Sequence, residues 1–298
     1  MRRFALALLV PAVPLAAQRT DTTITKAALI TADLALAGRT RASAGAFLDA
    51  LEPGGALEFP GVDVLRGAAA ARMPYLARYG GGSSYAWRPL HALASSDGTF
   101  GCTVGFAAFT SAADSAHASR IGSYITCWRR AADGRWLIAG HQRTESAAAA
   151  PAMAADAKYS RAPHSATERG SGAALTEAQD ADAAFARMGR GPAGPGPAFA
   201  MYAADDAIFP GSIPAPYGKA EIAKVFDDYP RERVLAWDPT RDLGAAAGGL
   251  AFTIGNASNR LRADGTELTW SHYFTVWRKE PDGSWRWVLD LGSTRPKS

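Results

Sequence analysis

The stretch Thr269–Gly292, TWSHYFTVWRKEPDGSWRWVLDLG, constrains the fold more than any other part of this chain, because it occurs twice. It reads as a β-hairpin: two aromatic-rich runs meet at Glu280-Pro281-Asp282-Gly283, a strong turn signal. The other copy is Ser123–His141, SYITCWRRAADGRWLIAGH. Tyr124, Thr126, Trp128, Arg129, Asp133, Gly134 and Trp136 return at one constant offset as Tyr273, Thr275, Trp277, Arg278, Asp282, Gly283 and Trp285. A fixed offset held over so many positions marks a duplicated module. A chain of 298 residues, 48% of them hydrophobic, can bury two modest cores.

The repeat extends upstream. Ile24–Thr40 and Leu175–Met188 read as helices, and ADLALA in the first matches ADAAFA in the second, so Asp33 corresponds to Asp182 and Leu36 to Phe185. AFLDALEPGGALEFPG (46–61) and AFAMYAADDAIFPG (198–211) each read as a short helix, a polar turn and a strand ending in Phe-Pro-Gly. Gly67 or Gly218 then opens a short helix, Ala68–Tyr79 or Lys219–Tyr229. Trp87-Arg88-Pro89 and Trp237-Asp238-Pro239 follow, and a run of strands closes each copy. Helices followed by a strongly bent antiparallel sheet make an α+β pattern.

The expected organisation is a signal peptide at 1–17, a first module at 18–144, a linker at 145–172 and a second module at 173–298. Met1-Arg2-Arg3, the apolar run Phe4–Leu15 and the small residues Ala16-Ala17 read as an export signal, which predicts a periplasmic or secreted protein. The apolar run is too short to span a bilayer comfortably, and no later one is longer, so no membrane anchor is expected. The segment Glu145–Gly172 is rich in Ala, Ser, Pro and charge, which is linker composition. Gly189–Pro197, GRGPAGPGP, reads as a plain loop or as a pocket lid.

At this point the motifs become specific. ADxAFA, AFxxxxADDAxxFPG, a Gly-led helix, WxP and YxTVWRKxxDGxWxWVLD together resemble the SnoaL-like, nuclear-transport-factor-2-like superfamily, which includes ketosteroid isomerases and polyketide cyclases, and in particular its bacterial members of unassigned function. The resemblance covers nearly all of both modules. It implies a cone in each, a curved sheet wrapped on N-terminal helices around an apolar pocket. Members of the family commonly dimerise through the sheet, so it also implies that the tandem forms an intrachain pseudo-dimer. The residues agree with that implication. In Thr269–Trp277 one face carries Thr269, Ser271, Tyr273, Thr275 and Trp277, and the other Trp270, His272, Phe274 and Val276. Large groups on both faces predict that one lines the cone and the other packs on the sister module.

The candidate chemistry is sparse. Asp33 and Asp182 lie in apolar, Ala-rich helices; either faces a pocket, where a raised pKa would suit a general acid or base, or faces solvent or fixes its helix by bonding a neighbouring main-chain or Trp N–H. The structural reading is preferred. His141 and Asp290 are equivalent positions, and His272 stands where the first module has Ser123. A pocket holding Asp182, His272 and Asp290 could move a proton next to a carbonyl; the same residues could form a satisfied polar network at the rim of the cone. Tyr202 and Tyr273 are candidate hydroxyls, but no run matches the isomerases' catalytic motif residue by residue. Asp33, Trp87, Tyr124, His141, Tyr202, Trp237, Trp270 and Tyr273 are the expected walls for a small apolar ligand, while the paired Trp residues also read as plain core.

Other classes are disfavoured. Lys+Arg 32 against Asp+Glu 28 gives a formal charge of +4 with no basic run, which argues against nucleic-acid binding. The five histidines show no metal spacing, and no phosphate or dinucleotide loop is present, so neither metal nor cofactor is expected. If Phe109 faces Arg120 across paired strands, the same register sets Cys102 opposite Cys127, which predicts a disulfide, with two buried free thiols as the alternative.

Overall fold

The computed structural model describes residues 21–113, 119–145, 162–211 and 215–295. The expected signal peptide and most of the expected linker lie outside the described residues. The chain repeats one element order. The first copy runs α1 (Thr22–Ala42), α2 (Gly45–Leu48), β1 (Leu51–Glu58), β2 (Leu65–Arg66), α3 (Gly67–Tyr79), β3 (Ser84–Ala94), β4 (Phe100–Thr110), β5 (Ser119–Arg130) and β6 (Trp136–Arg143). The second runs α4 (Ala174–Gly189), α5 (Pro195–Tyr202), β7 (Ala203–Ile208), α6 (Gly218–Lys224), β8 (Arg233–Ala247), β9 (Leu250–Leu261), β10 (Glu267–Lys279) and β11 (Trp285–Thr294). The sheets are ordered β2-β1-β6-β5-β4-β3 and β7-β11-β10-β9-β8. All neighbouring strands are antiparallel except β1 with β6 and β7 with β11. Each module is therefore α+β, as expected.

Local chemistry explains the element ends. Asp21 caps α1 by accepting from the Thr23 amide at 2.8 Å. The hairpins turn at Gly134 and Gly283, whose φ angles of 85° and 83° are costly for any residue with a Cβ. The helix expected over Lys219–Tyr229 stops at Lys224. Val225, Phe226 and Asp227 bond three residues back instead of four, and Pro230 disfavours helical geometry before it, so the chain leaves as tight turns.

The two sheets pack against each other through the faces opposite their helices. Phe100 stacks on Phe252 with ring centroids 6.2 Å apart, and Phe252 stacks on Phe274 at 4.6 Å. The fit is close: a Cβ on Gly140 would lie 2.7 Å from the Phe252 ring and 2.9 Å from that of Phe274. Phe100, Phe252 and Phe274 are each at most 1% exposed, and burying a side chain of that size contributes about 2 kcal/mol. Hydrogen bonds stitch the seam: Gln142 Nε2 donates to the His272 carbonyl at 3.1 Å, the Gly61 amide to Thr294 at 3.0 Å and the Ser96 amide to Gly248 at 2.9 Å. Such packing is compatible with an intrachain pseudo-dimer. Among the described residues no helix is long and apolar enough to cross a membrane.

The register sets Cys102 opposite Cys127, and their sulfurs are bonded. Both residues are fully buried and belong to the core shared by the two modules.

Candidate functional site

The two cones hold the same polar apparatus in different surroundings. In the first, Asp33 on α1 is fully buried and accepts from Trp87 Nε1 at 2.6 Å and from the Tyr124 hydroxyl at 2.8 Å. Burial raises its pKa to about 6, partly offset by hydrogen bonds from Thr103, Trp87 and Tyr124. His141 bonds Thr126 through Nδ1 at 2.8 Å, and burial pushes its pKa down to about 3, so the imidazole is neutral. Phe47, Phe59, Tyr75, Tyr79, Tyr85 and Trp87 fill the rest of the interior.

One further side chain completes that filling. Arg143, opposite Tyr124 across the β5–β6 pair, is 2% exposed, and its guanidinium lies 4.1 Å from the ring centres of both Tyr79 and Tyr85. Its charge is met by Glu145 at 2.5 Å. The first cone is thus sealed by a cation held between two aromatic rings.

The second cone repeats the polar core. Asp182 on α4, also fully buried, accepts from Thr253 Oγ1 at 2.7 Å and from the Tyr273 hydroxyl at 2.9 Å. Trp277 Nε1 donates to Thr253 at 2.9 Å, as Trp128 does to Thr103 at 3.0 Å. Two differences matter. Asp182 Oδ1, the counterpart of the oxygen that Trp87 satisfies on Asp33, makes no hydrogen bond of good geometry, although the Trp237 indole approaches the carboxyl. The His141 position is now Asp290, which accepts from Thr275 Oγ1 at 2.5 Å. Burial raises Asp290 to about 7. It raises Asp182 to about 7 as well, the Asp290 charge adding to the effect while hydrogen bonds from Thr253, Tyr273 and Trp237 oppose it.

The second cone is also open. Gly292 faces Tyr273 where Arg143 faces Tyr124, and Leu235 stands two residues before Trp237 where Tyr85 stands before Trp87. The sealing cation and one of its rings are therefore absent. What remains is a cavity of about 140 Å³ lined by Phe185, Phe199, Phe226, Trp237, Tyr273 and Asp290, with Leu235 and Gly292 also on its wall. Its lining is apolar and mostly aromatic; the polar groups on it are the Asp290 carboxyl and the hydroxyls of Tyr273 and Ser271.

The residues expected at the site separate into distinct places. Asp290, Tyr273 and Trp237 line this cavity, and Asp182 stands behind its wall, bonded to the Tyr273 hydroxyl. Asp33, Trp87, Tyr124 and His141 come together in the filled first cone. His272 belongs to neither, which corrects its grouping with Asp182 and Asp290. Strand alternation turns it away from Tyr273 to the inter-module seam, where Nε2 meets Asp63 at 3.3 Å and burial lowers its pKa. Trp270 is on that same side, half-buried, its indole donating to Glu267 at 2.5 Å, so it lines no cone. Tyr202 packs on Phe185 at 5.4 Å, behind the cavity wall. Among the described residues no group of three His, Cys, Asp or Glu is placed to hold a metal ion.

Arg143 and Gly292 were not expected to matter. The signal was present: the constant offset that defines the repeat pairs them directly, and a change from the longest cation to no side chain in an otherwise matched strand predicts a change in filling.

No protein-family model matches the sequence, and no curated protein matches it either. Solved structures match one module's length at a time. A ketosteroid isomerase-like protein from Erwinia carotovora atroseptica is 21% identical, over 40% of this chain and 95% of its own, with a TM-score of 0.33. A Nostoc punctiforme protein of unknown function with a cystatin-like fold is 16% identical, over 43% of this chain and 96% of its own, with a TM-score of 0.36. An NTF2-like protein from Novosphingobium aromaticivorans with a cystatin-like fold is 17% identical, over 40% and 80%, with a TM-score of 0.33. The likeness concerns fold alone. This chain is a tandem of two α+β modules, and solved ketosteroid-isomerase-like and NTF2-like proteins match it in fold over about one module's length.

Proposed function

We propose that this is an exported protein, an intrachain pseudo-dimer, whose second cone binds a small apolar molecule about one ring in size. The observation that carries the reading is the replacement of the sealing Arg143 by Gly292, which leaves about 140 Å³ of aromatic-lined space beside Asp290. An apolar cavity of about 150 Å³ is sufficient to take benzene. Asp290 and the Tyr273 hydroxyl supply the few polar groups that orient a ligand in such a pocket. The first cone, filled by its own side chains, is structural. The N-terminal Arg2-Arg3 and apolar run, together with a disulfide, support export.

The pair of buried carboxyls, Asp182 with an oxygen lacking a hydrogen bond of good geometry and Asp290 on the cavity wall, favours a second reading, an isomerase-, cyclase- or hydrolase-type enzyme. Carboxyls held near about 7 are poised to take or give a proton at neutral pH, with Asp182 as base and Asp290 as its protonated partner.

Titration of toluene and p-cresol into the full chain, followed by aromatic NMR shifts, tests the binding reading. Both should perturb Trp237 and Tyr273, and Gly292→Arg should abolish the effect. A Cβ at Gly292 meets nothing nearer than the His272 carbonyl oxygen at 3.9 Å, so the new side chain has room to enter. Unperturbed Trp237 and Tyr273 in the parent protein would remove the reading. Turnover of a bound ketone that disappears in Asp182→Asn would establish the enzyme.

A further inference from the structure

A second, larger hollow lies on the outside of the second module, and it has a charge pattern the cone lacks. It is a groove of about 610 Å³ between the Pro192–Pro197 segment and the turn that follows α6. Its floor and sides are apolar, including Pro192, Pro195, Phe226, Tyr229 and Pro230, and its far rim carries Arg231, Arg233 and Arg262. Asp227 is the only carboxylate on its wall, so the lining is net positive.

The arginines are not consumed by the protein. Arg231 and Arg233 are exposed, and among the described residues their side chains make no hydrogen bond or ion pair. Arg262 acts on the backbone beneath them: its Nε donates to the Arg231 carbonyl at 3.3 Å and its Nη2 to the Arg233 carbonyl at 3.4 Å. Its own amide bonds the Glu232 carbonyl at 2.7 Å. The main chain that bears Arg231 and Arg233 is thereby tied to the end of β9, and both residues line the groove. Burial raises the Tyr229 pKa, and the charges of Arg233 and Arg262 oppose that rise while Glu232 adds to it, so both arginines are felt at the aromatic wall. The first turn of α5 also borders the groove, where the helix dipole favours negative charge.

We propose that this groove is a binding site for a small anion with a flat apolar body, such as an aromatic carboxylate or sulfonate. The ring lies on Phe226, Tyr229 and the prolines, and the anion is held by Arg231 and Arg233. The volume is that of a typical small-molecule site, and planar guanidinium groups match the two oxygens of such an anion. The inference does not rest on what the cone binds, although Phe226 lies on the wall of both hollows.

The test uses anilinonaphthalene sulfonate, whose fluorescence rises on leaving water, and the neutral phenylnaphthylamine, which has the same rings and no charge. The parent chain should bind the sulfonate with an affinity that falls as salt rises. Arg231→Gln/Arg233→Gln, two exposed substitutions, should weaken the sulfonate about tenfold and leave the neutral probe unchanged. Gly292→Arg, which fills the cone, should leave sulfonate binding intact. The proposal is overturned if the double variant binds the sulfonate as tightly as the parent, if it loses both probes equally, or if the parent does not bind the sulfonate. Loss of the sulfonate in Gly292→Arg alone would also overturn it, by moving the probe into the cone.

Discussion

Asp290→Asn probes the energy stored in the second cone, where the Asp290 charge also raises Asp182. Asp290 is 7% exposed, its carboxyl accepts one hydrogen bond from Thr275, and its pKa is raised from 3.8 to about 7. The folded protein therefore holds this proton to a higher pH than the unfolded chain does. Below the unfolded pKa the carboxyl is neutral in both states and costs nothing. As pH rises through the window between about 4 and about 7, the unfolded chain ionises and the folded one resists, so stability falls. A shift of about three units at about 1.4 kcal/mol each makes the full cost about 4 kcal/mol, reached above about pH 7. Asparagine does not titrate, and its Oδ1 can still accept from Thr275. Its amide N–H needs a new partner, a pH-independent cost of about 1–2 kcal/mol. The variant should thus be slightly less stable than the parent near pH 4 and more stable by a few kcal/mol near pH 8. Urea unfolding of both proteins across that range reads the difference directly, provided the denaturant slopes agree. A stability difference that stays flat across the range would refute the claim that Asp290 is buried as a neutral acid.

Other consequences are quicker to check. Gly140→Ala puts a methyl group 2.7 Å from the Phe252 ring, so it should destabilise the seam by about 1–3 kcal/mol in urea unfolding, whereas Gly54→Ala, with nothing within 4 Å of the new Cβ, should have a much smaller effect. Replacing Cys102 and Cys127 together with Ala opens a loop of sequence separation 25; midpoints in denaturant should fall by the equivalent of about 3 kcal/mol, and no fall would mean that the crosslink leaves the unfolded chain unconstrained.

The duplication, the α+β order, the register that faces Cys102 with Cys127 and the two-sided character of β10 were all legible in the sequence. They rest on local rules: a hairpin turn sets register, strand alternation sorts side chains between faces, and a constant offset reports a repeat whatever the tertiary packing. Asp33 and Asp182 were recognisable as unusual, being carboxylates on Ala-rich helices, and the Trp N–H reading of such a residue describes Asp33, bonded by Trp87. Grouping His272 with Asp182 and Asp290 overlooked the same alternation, which sends neighbours Tyr273 and His272 to opposite faces.

The tertiary structure decided which cone is empty: the sequence pairs Arg143 with Gly292, but only the fold shows that this position fills the cone. The two interiors share a Trp-Thr-Asp-Tyr core, so their difference is not in any motif but in volume. Arg143 between Tyr79 and Tyr85 fills one cone, while Gly292 and Leu235 leave the other with about 140 Å³. Filling is a sum over residues brought from α3, β3 and β6 or their counterparts, and no single segment carries it. The groove beside Arg231 and Arg233 is of the same kind, since its walls come from the loop before α5, the turn after α6 and the end of β9, segments that meet only when the sheet has curved.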